Sequence, residues 1–388
     1  MNNIENYRLF DLLHHLKSMP LKADALAAKE EGVWRKYSTQ EYIDTVNNLS
    51  YAFLNLGVKP GDKIGLITNN RPEWNFVDYA CLQTGSISVP LYPTISESDL
   101  THVIKDAGIT YFFVTDAKMY HKVKACAGNL EIKEIYTIDR CEDLPCIKDL
   151  ILKGKEQPKE VELEKIKASV KNTDLATLIY TSGTTGNPKG VMLSHHNFIS
   201  NIMATYSLCD FKFEWRALSF LPLNHVYERM LSYLYISLGI SVYYAENLEK
   251  IGDNLKEINP HIFVTVPRLL EKVYEKIVSK GSELTGIKKA LFFWALNLGL
   301  RFEQHKANGW WYEFQLNLAN KIIFSKWREA LGGNIVVIAS GGSALQPRLA
   351  RVFFAAKIKV LEGYGLTECS PVIAVNNFDD NNNKIGTV

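Results

Sequence analysis

Short apolar runs rich in β-branched and aromatic residues alternate along the chain with amphipathic stretches, and this alternation is what most limits the fold. The apolar runs are Lys63–Thr68, Tyr111–Val114, Glu134–Ile138, Ala176–Thr181, Ser241–Tyr244, Ile262–Val266 and Ile335–Ala339. The helical patterns between them include Thr39–Leu56, Leu248–Ile258, Arg268–Val278 and Leu291–Glu303. Such alternation predicts an α/β fold in which helices flank parallel sheets. Pro267 is expected in the first turn of a helix, where its missing N–H costs little.

Length, charge and cysteine spacing limit the organisation and the function classes. A chain of 388 residues predicts two or three structural units. The 44 Lys and Arg against 42 Asp and Glu leave a charge of only +2, so no nucleic-acid partner is expected. The six cysteines show no metal-binding spacing, which favours reduced thiols in a cytoplasmic protein. No apolar run approaches 18 residues, so no membrane span is expected.

The segment Thr181–Gly190 follows a predicted buried strand and has the composition of a phosphate-binding loop. Its candidate binding residues are Thr181, Ser182, Gly183, Thr184, Thr185, Gly186 and Lys189. Glycines let backbone N–H groups approach a polyphosphate, hydroxyls add donors, and Lys189 supplies a positive charge. The segment is not a Walker A loop, because Gly190 stands where a Ser or Thr would follow the lysine. A site for ATP phosphates is therefore predicted, with a flexible hairpin as the alternative.

A second segment, Lys359–Pro371, combines glycines with an aromatic ring, a hydroxyl and a carboxylate. Its candidate nucleotide-binding residues are Glu362, Gly363, Tyr364, Gly365 and Thr367. Tyr364 can stack on a purine, Thr367 can donate a hydrogen bond, and Glu368 offers the hard oxygen that Mg²⁺ prefers. A glutamate after a turn is, by itself, most often a solvated charge. Within this string, a nucleotide site with Mg²⁺ is the favoured interpretation.

A third segment, Ala339–Leu345, follows another predicted strand. Its small residues Gly341, Gly342 and Ser343 would let a ligand lie flat against the backbone. A tight turn between a strand and a helix is the alternative. These three residues are therefore further candidates for the nucleotide site.

The string Thr181–Gly190 resembles the phosphate loop of the adenylate-forming superfamily, which comprises acyl-CoA synthetases, peptide-synthetase adenylation domains and beetle luciferases. The other motifs follow in the expected order, so the resemblance covers essentially the whole chain. Val226–Arg229 and Val266–Lys276 are similar to the long-chain fatty acyl group, and residues 277–332 fit the long helical insertion of that group. The chain thus resembles the N-terminal domain of an AMP-forming long-chain fatty acid–CoA ligase.

The resemblance implies a role for each candidate residue. Tyr364 would lie against adenine, Thr367 would bind the α-phosphate, and Glu368 would hold Mg²⁺ with Thr181 as its partner. His225 would orient the substrate carboxylate or gate the channel for CoA, although a histidine in an apolar run is usually structural. The implied catalytic residues are Lys189, His225, Thr367 and Glu368. His195 and His196, which follow the phosphate loop, are expected to begin a helix.

The reaction implied has two steps and three substrates: a long-chain fatty acid, ATP and CoA. The fatty carboxylate attacks the α-phosphorus of ATP to give an acyl adenylate and pyrophosphate, and the CoA thiol then displaces AMP. The nucleophile is the substrate's own carboxylate, so no catalytic serine or cysteine is needed. The protein's part in the first step is positioning and charge neutralisation.

The resemblance also implies the architecture. We expect two α/β subdomains with mostly parallel sheets, at residues 1–170 and 171–370, in a layered αβαβα body. Residues 371–388 would begin a smaller β-rich part. The C-terminal lid domain, with its catalytic lysine, is expected to lie beyond this chain, so we expect residues 1–388 to turn over weakly or not at all.

Several expectations and alternatives stay open. The aromatic residues of 277–332 are expected to pack mainly in the core, and a peripheral contact with the inner membrane surface is a second expectation for them. A homodimer is expected from the family alone. One alternative is the adenylation of another acid, aryl or amino; the other is a non-catalytic protein that binds nucleotide or acyl groups.

Overall fold

The computed structural model describes residues 4–181, 186–379 and 383–388. The chain forms two compact units, each built from separate stretches of sequence. Unit 1 comprises Met1–Ala204, Pro222–Tyr244 and Thr367–Pro371, and unit 2 comprises Thr205–Leu221, Ala245–Leu366 and Val372–Val388. The subdomain boundaries expected near residues 170 and 370 stay a prediction.

Unit 1 contains a six-stranded, mostly parallel sheet. The strands of unit 1, including three outside that sheet, are β1 (Leu26–Glu30), β2 (Val33–Tyr37), β3 (Lys63–Ile67), β4 (Ile87–Pro90), β5 (Ile109–Val114), β6 (Glu134–Thr137), β7 (Leu175–Thr181), β8 (Lys189–Ser194) and, after β9 of unit 2, β10 (Ser241–Tyr244). The sheet has the order β6-β5-β3-β4-β7-β8, and only β7 and β8 pair antiparallel. Separately, β1 pairs parallel with β10 and antiparallel with β2.

Helices connect the parallel strands of unit 1. They are α1 (Asp11–Lys17), α2 (Thr39–Asn55), α3 (Pro72–Gln83), α4 (Glu97–Ala107), α5 (Ala117–Ala127), α6 (Ile147–Glu156), α7 (Glu160–Ser169), α8 (His195–Tyr206) and α9 (Val226–Ser237). Ser38, Ser96 and Asp116 begin three of them, each accepting a hydrogen bond from a first-turn N–H. Apolar side chains of the sheet, α4 and α5 form a core that includes Val89 and Phe112.

Unit 2 is a second α/β unit with a parallel-dominated sheet. Its strands are β9 (Arg216–Ser219), β11 (Ile262–Thr265), β12 (Val337–Ser340), β13 (Lys359–Gly365) and β14 (Val372–Val375). Its helices are α10 (Ile251–Ile258), α11 (Pro267–Ser282), α12 (Gly286–Leu300), α13 (Trp310–Ala319), α14 (Ser325–Ala330) and α15 (Pro347–Ala355). Neighbours in the order β14-β13-β12-β11-β9 are parallel, except that β14 runs antiparallel to β13. The prediction of two mostly parallel sheets is confirmed.

Several predicted elements differ in their ends. The helix predicted from Leu248 begins only at Ile251, because residues 248–250 form a turn. The helix predicted at Leu291–Glu303 begins earlier, at Gly286, and ends at Leu300. Pro267 lies in the first turn of α11, as expected. Within the described ranges, none of the helices has both the length and the apolar character needed to cross a bilayer.

Candidate functional site

In unit 1, the predicted phosphate loop connects two paired strands. Strand β7 ends at Thr181, and β8 begins at Lys189, which lies opposite Thr181 in the antiparallel register. The buried residues 176–179 anchor β7 in the sheet, so the start of the loop is held rigidly. The loop candidates Ser182, Gly183, Thr184 and Thr185 lie outside the described residues. The flanking strands β7 and β8 pair antiparallel, which is compatible with a phosphate-binding loop between them.

The end of this loop leaves a positive charge exposed. The side chain of Lys189 is exposed and makes no hydrogen bond or ion pair with another described residue. Gly186 has a φ of +124°, a backbone conformation that residues other than glycine rarely adopt. The imidazole Nε2 of His102 lies 3.0 Å from the carbonyl oxygen of Pro188 and ties the loop to α4. The ammonium of Lys189 is therefore available to an anion.

The turn that carries Thr367 and Glu368 packs against the strand that begins at Lys189. Residues 367–369 form a short 3₁₀ helix in contact with β8. The amide of Asn201 in α8 donates to the carbonyl oxygen of Cys369 over 3.0 Å, which fixes the turn. Thr367 is buried, whereas Glu368 is exposed and has no hydrogen-bond or ion-pair partner among the described residues. Unit 1 thus carries the cation of Lys189 on one element, and the hydroxyl of Thr367 and the carboxylate of Glu368 on an element in contact with it.

The donors at this position suit a metal that arrives with a nucleotide. The described residues contain no group of three or more His, Cys, Asp and Glu side chains that could hold a metal ion. Mg²⁺ in nucleotide sites is held by one or two carboxylates, with phosphate oxygens and water completing its shell. Glu368, with the hydroxyl of Thr181, fits that arrangement. The magnesium role of these two residues stays a prediction.

His225 begins helix α9 and is held as a neutral ring. Its Nδ1 accepts a hydrogen bond from the backbone N–H of Tyr227 over 3.2 Å, so the ring proton lies on Nε2. Although the side chain keeps exposed surface, the surrounding protein lowers the pKa of His225 by desolvation. Neutral His225 can still donate from Nε2. The sequence did not reveal this capping role, because Ser, Thr, Asp and Asn are the usual residues at the start of a helix.

His195 has a structural place, as expected for a residue that begins a helix. It is buried at the start of α8, and its Nδ1 accepts a hydrogen bond from the N–H of Leu9 over 3.1 Å. Burial lowers the pKa of His195 to about 4, against the opposing charges of Asp11 and Asp174. His195 therefore anchors the N-terminal segment and is uncharged at neutral pH.

In unit 2, two predicted segments meet at the carboxyl ends of neighbouring parallel strands. Ser340 of β12 lies beside Glu362 of β13 in the register. The Gly341–Ser343 turn and the Gly363–Gly365 stretch therefore begin side by side, at the sheet edge where open α/β sheets bind ligands. Gly342 has a φ of +82°, which requires glycine.

Tyr364 offers an exposed ring at this edge, 57% accessible to solvent. Strand β13 pairs with β14 there, and the register shifts between Tyr364 and Gly365. Such an irregularity re-aims side chains next to binding sites. Gly363 lies in strand β13, where an added Cβ would make only an ordinary contact, 3.6 Å from Val375. A glycine at position 363 leaves space beside the strand, but the backbone conformation there does not require glycine.

Glu362, predicted to bind nucleotide, is buried, and its side chain is hydrogen-bonded to the backbone of unit 2. Its Oε1 accepts a hydrogen bond from the N–H of Gly386 over 2.9 Å. Burial raises the pKa of this carboxyl group, and backbone hydrogen bonds from Gly386 and Leu345 act in the opposite direction. In the described residues, its observed partners are backbone groups.

A buried ionic network in unit 1 was missed by sequence reasoning. Arg229 of α9 forms an ion pair with Asp78 of α3, and both side chains are fully buried. The guanidinium also donates to the hydroxyls of Thr177, Ser88 and Tyr233, at 2.7, 2.7 and 2.9 Å. Thr177 belongs to β7, so the network joins the strand that leads to Thr181 with the helix that His225 begins. Arg229 and Asp78 are 151 residues apart in sequence, so no local pattern could show their pairing.

Comparisons with known proteins show which family the chain is similar to. A profile of the AMP-binding enzymes matches residues 14–388. The long-chain-fatty-acid–CoA ligase FadD15 of Mycobacterium bovis is 29% identical over 364 residues, which cover 92% of this chain and 60% of that protein. The peroxisomal long chain acyl-CoA synthetase 7 of Arabidopsis thaliana is 30% identical over 381 residues, which cover 93% of this chain and 52% of that protein. The chain thus spans between half and two thirds of the length of these relatives.

A likeness to solved structures supports the fold. The N-terminal domain of FACL13 from Mycobacterium tuberculosis superposes with a TM-score of 0.70 at 17% identity, and the match covers 96% of this chain and 79% of that domain. At this identity the likeness concerns the fold alone.

Proposed function

This chain belongs to the family of AMP-binding enzymes, and we propose that it binds ATP and a long-chain fatty acid to form an acyl adenylate for transfer to CoA. One observation carries the proposal. Within unit 1, Lys189, an exposed cation whose side chain has no partner among the described residues, begins the strand against which the turn of Thr367 and Glu368 packs. An unpaired lysine and an unpaired carboxylate on adjoining elements are the groups that a magnesium–triphosphate complex needs.

The chemistry follows from the charges that move in the first step. A carboxylate oxygen of the acid attacks the α-phosphorus, the bond from that phosphorus to the bridging oxygen breaks, and pyrophosphate leaves with the electron pair. Lys189 stabilises the negative charge of the phosphates, Thr367 binds the α-phosphate, and Glu368 binds the magnesium ion that accompanies ATP. In the second step the CoA thiol loses its proton, sulfur bonds to the acyl carbon, and AMP leaves.

Unit 2 supplies the groups proposed for the adenine base. The exposed ring of Tyr364 is available for stacking, and the Gly341–Ser343 turn presents backbone without bulky side chains. Both lie at one sheet edge, where β12 and β13 end.

Neutral His225 is proposed to donate from Nε2 to the fatty carboxylate, a contact that needs no net charge on the ring.

The choice of a long-chain acid rests on the curated relatives, whose names include long-chain fatty acid–CoA ligases from a bacterium and a plant long chain acyl-CoA synthetase. Their identities near 30% support the acid class without fixing a chain length. The activation of another acid, and binding of nucleotide without catalysis, are the competing functions.

The test is binding of non-hydrolysable acyl-sulfamoyl adenylates by calorimetry, comparing acetyl, benzoyl, aminoacyl and palmitoyl forms. These compounds mimic the intermediate and need no turnover. We expect the palmitoyl form to bind at least about tenfold more tightly than the others, because a long chain buries more apolar surface. Equal binding of all forms would retain the adenylate site and refute the long-chain assignment, and absence of binding would refute the site in this chain.

A further inference from the structure

Helix α13 of unit 2 is apolar on the face that packs inward and also on the face that is exposed. Tyr312, Leu316 and Ala319 are buried. On the other side, Trp310, Trp311 and Phe314 are 80%, 57% and 58% exposed, and Leu318 is exposed as well. We name these four exposed residues the aromatic face. A surface helix in a monomer normally presents polar residues there, so such a face indicates a binding partner.

The exposed rings form one continuous surface. Trp310 and Trp311 meet edge to face with centroids 5.7 Å apart, and Trp311 stacks on Phe314 at 5.6 Å. Leu318 lies one turn beyond Phe314 on the same side of the helix. The aromatic face is therefore a contiguous patch of two indole rings, a phenyl ring and a leucine.

The neighbouring helix α12 extends this surface. The two helices run antiparallel, because Trp294 donates to Gln315 over 3.3 Å while the Tyr312 hydroxyl donates to the carbonyl of Leu298 over 2.7 Å. This pairing brings the exposed side chain of Ile287, near the start of α12, level with exposed Ile322, beyond the end of α13.

Exposed cations surround the apolar surface. Residues 286–326 contain six Lys and Arg but only two Asp and Glu, whereas the whole chain has a net charge of only +2. The six cations, all exposed, are Lys288, Lys289, Arg301, Lys306, Lys321 and Lys326. Lys288, Lys289 and Lys321 lie at the end of the surface that carries Ile287 and Ile322. Arg301 and Lys306 lie near Trp310. Aromatic side chains ringed by cations complement a surface that is apolar within and anionic outside.

We infer that the aromatic face and its ring of cations bind the surface of anionic lipid bilayers. The tryptophans enter the interfacial region, where an amphipathic ring is most favourable, and the lysines contact the anionic headgroups. Binding of this kind requires neither ATP nor catalysis, so it stands independently of the proposed function. It would place the protein where free fatty acids partition.

The experiment is co-sedimentation with vesicles, without ATP or fatty acid. Vesicles of phosphatidylcholine alone are compared with vesicles containing about one quarter phosphatidylglycerol. We expect the chain to bind the anionic vesicles at least about tenfold better, and about 0.5 M salt to weaken binding. The variant Trp310→Ser/Trp311→Ser/Phe314→Ser should lose at least about tenfold in affinity. The matched control is Leu248→Ser, which removes an exposed apolar residue elsewhere in unit 2 and should bind like the wild type.

A charge variant keeps the test decisive if the triple variant folds poorly. Lys288→Glu/Lys321→Glu changes two exposed side chains that have no ion-pair partner among the described residues, and it should abolish the preference for anionic vesicles. Failure of the wild type to sediment with anionic vesicles would overturn the inference, as would unchanged binding by both variants. If light scattering instead shows a dimer that the aromatic substitutions dissolve, with no vesicle binding, the face is covered by a second copy.

Discussion

At the scale of single residues, the charge of Lys189 separates two kinds of nucleotide ligand. The Lys189→Ala variant should bind magnesium–ATP about 10- to 100-fold more weakly, because a charge-assisted contact to the phosphates is lost. Binding of the palmitoyl-sulfamoyl adenylate, which has no β- or γ-phosphate, should change by less than about threefold. Calorimetry on both ligands provides the measurement. Lys165→Ala is the matched control, since Lys165 is an exposed lysine of unit 1 on α7.

Equal losses for both ligands would show that Lys189 supports the structure of the loop and does not contact the phosphates. Loss in the Lys165→Ala control would point to a general effect of charge on nucleotide binding.

The buried ring of His195 predicts a loss of stability in acid. Its pKa of about 4 lies below the ordinary value of 6.5, so between these values the unfolded chain binds a proton that the folded chain does not. The contribution of His195 is complete above pH 6.5 and is lost as the pH falls towards 4, by about 3 kcal/mol in total. Urea unfolding across this range is the measurement. In His195→Asn, whose amide oxygen can accept from Leu9, the slope should be smaller; an unchanged slope would contradict the assignment.

The residue scale also shows what local sequence could reveal. Lys189 and Glu368 are exposed, as expected of charged residues in glycine-rich strings, and their chemical roles stay a prediction. The cap formed by His225 and the brace formed by Glu362 were not foreseen, because each depends on a backbone N–H whose position only the fold determines.

At the scale of secondary-structure elements, the Arg229–Asp78 pair holds α9, α3 and β7 together. Removing one partner leaves a buried charge without compensation, so Asp78→Asn should lower the free energy of unfolding by about 3–5 kcal/mol. The double variant Asp78→Leu/Arg229→Met removes both charges. Its loss of unfolding free energy should be smaller than the sum of the losses in the single variants Asp78→Leu and Arg229→Met. Urea unfolding of the wild type, Asp78→Leu, Arg229→Met and the double variant, compared in a double-mutant cycle, measures this coupling. Additive effects would show that the pair contributes no specific interaction.

Helices α6 and α2 approach so closely that only glycine fits at position 154. A Cβ there would overlap the backbone carbonyl of Asn48, so Gly154→Ala should destabilise the protein by about 1–3 kcal/mol or more. The matched control is Gly252→Ala in α10, where an added Cβ meets nothing and a helix former should be neutral or stabilising by up to about 1 kcal/mol. Thermal unfolding of both variants tests the contrast, and similar melting temperatures would contradict it.

Elements were predictable where the chain is strongly patterned. The strands β3, β7, β10 and β11 were located from apolar runs within one or two residues of their observed ends. Strand β8 was missed because it lies between a loop and a helix start and exposes Met192 in its centre. Strands β4 and β9 were missed because their four residues, ISVP and RALS, mix polar or proline residues with apolar ones, whereas β10 and β11, of the same length, are almost wholly apolar or aromatic.

At the scale of the whole molecule, the alternation of strand and helix patterns was enough to predict two parallel-dominated sheets, and both are present. The assembly of each unit from separate stretches was not predicted. Residues 222–244 and 367–371 return to unit 1 from unit 2, and no shift in composition marks these returns. The turn of Thr367 and Glu368 therefore belongs to the unit of Lys189, while Tyr364, three residues earlier, belongs to the other.

The central claim is that this chain binds an acyl adenylate through its predicted nucleotide-binding segments, and hydrogen exchange with the palmitoyl-sulfamoyl adenylate tests it most directly. The account predicts slower exchange on binding for backbone amides in 340–343 and 363–365 of unit 2 and in 367–369 and 186–190 of unit 1. Protection should be absent or weak in helices α2 and α6, which carry none of the candidate binding residues. Binding that leaves the exchange of all four segments unchanged would contradict the account.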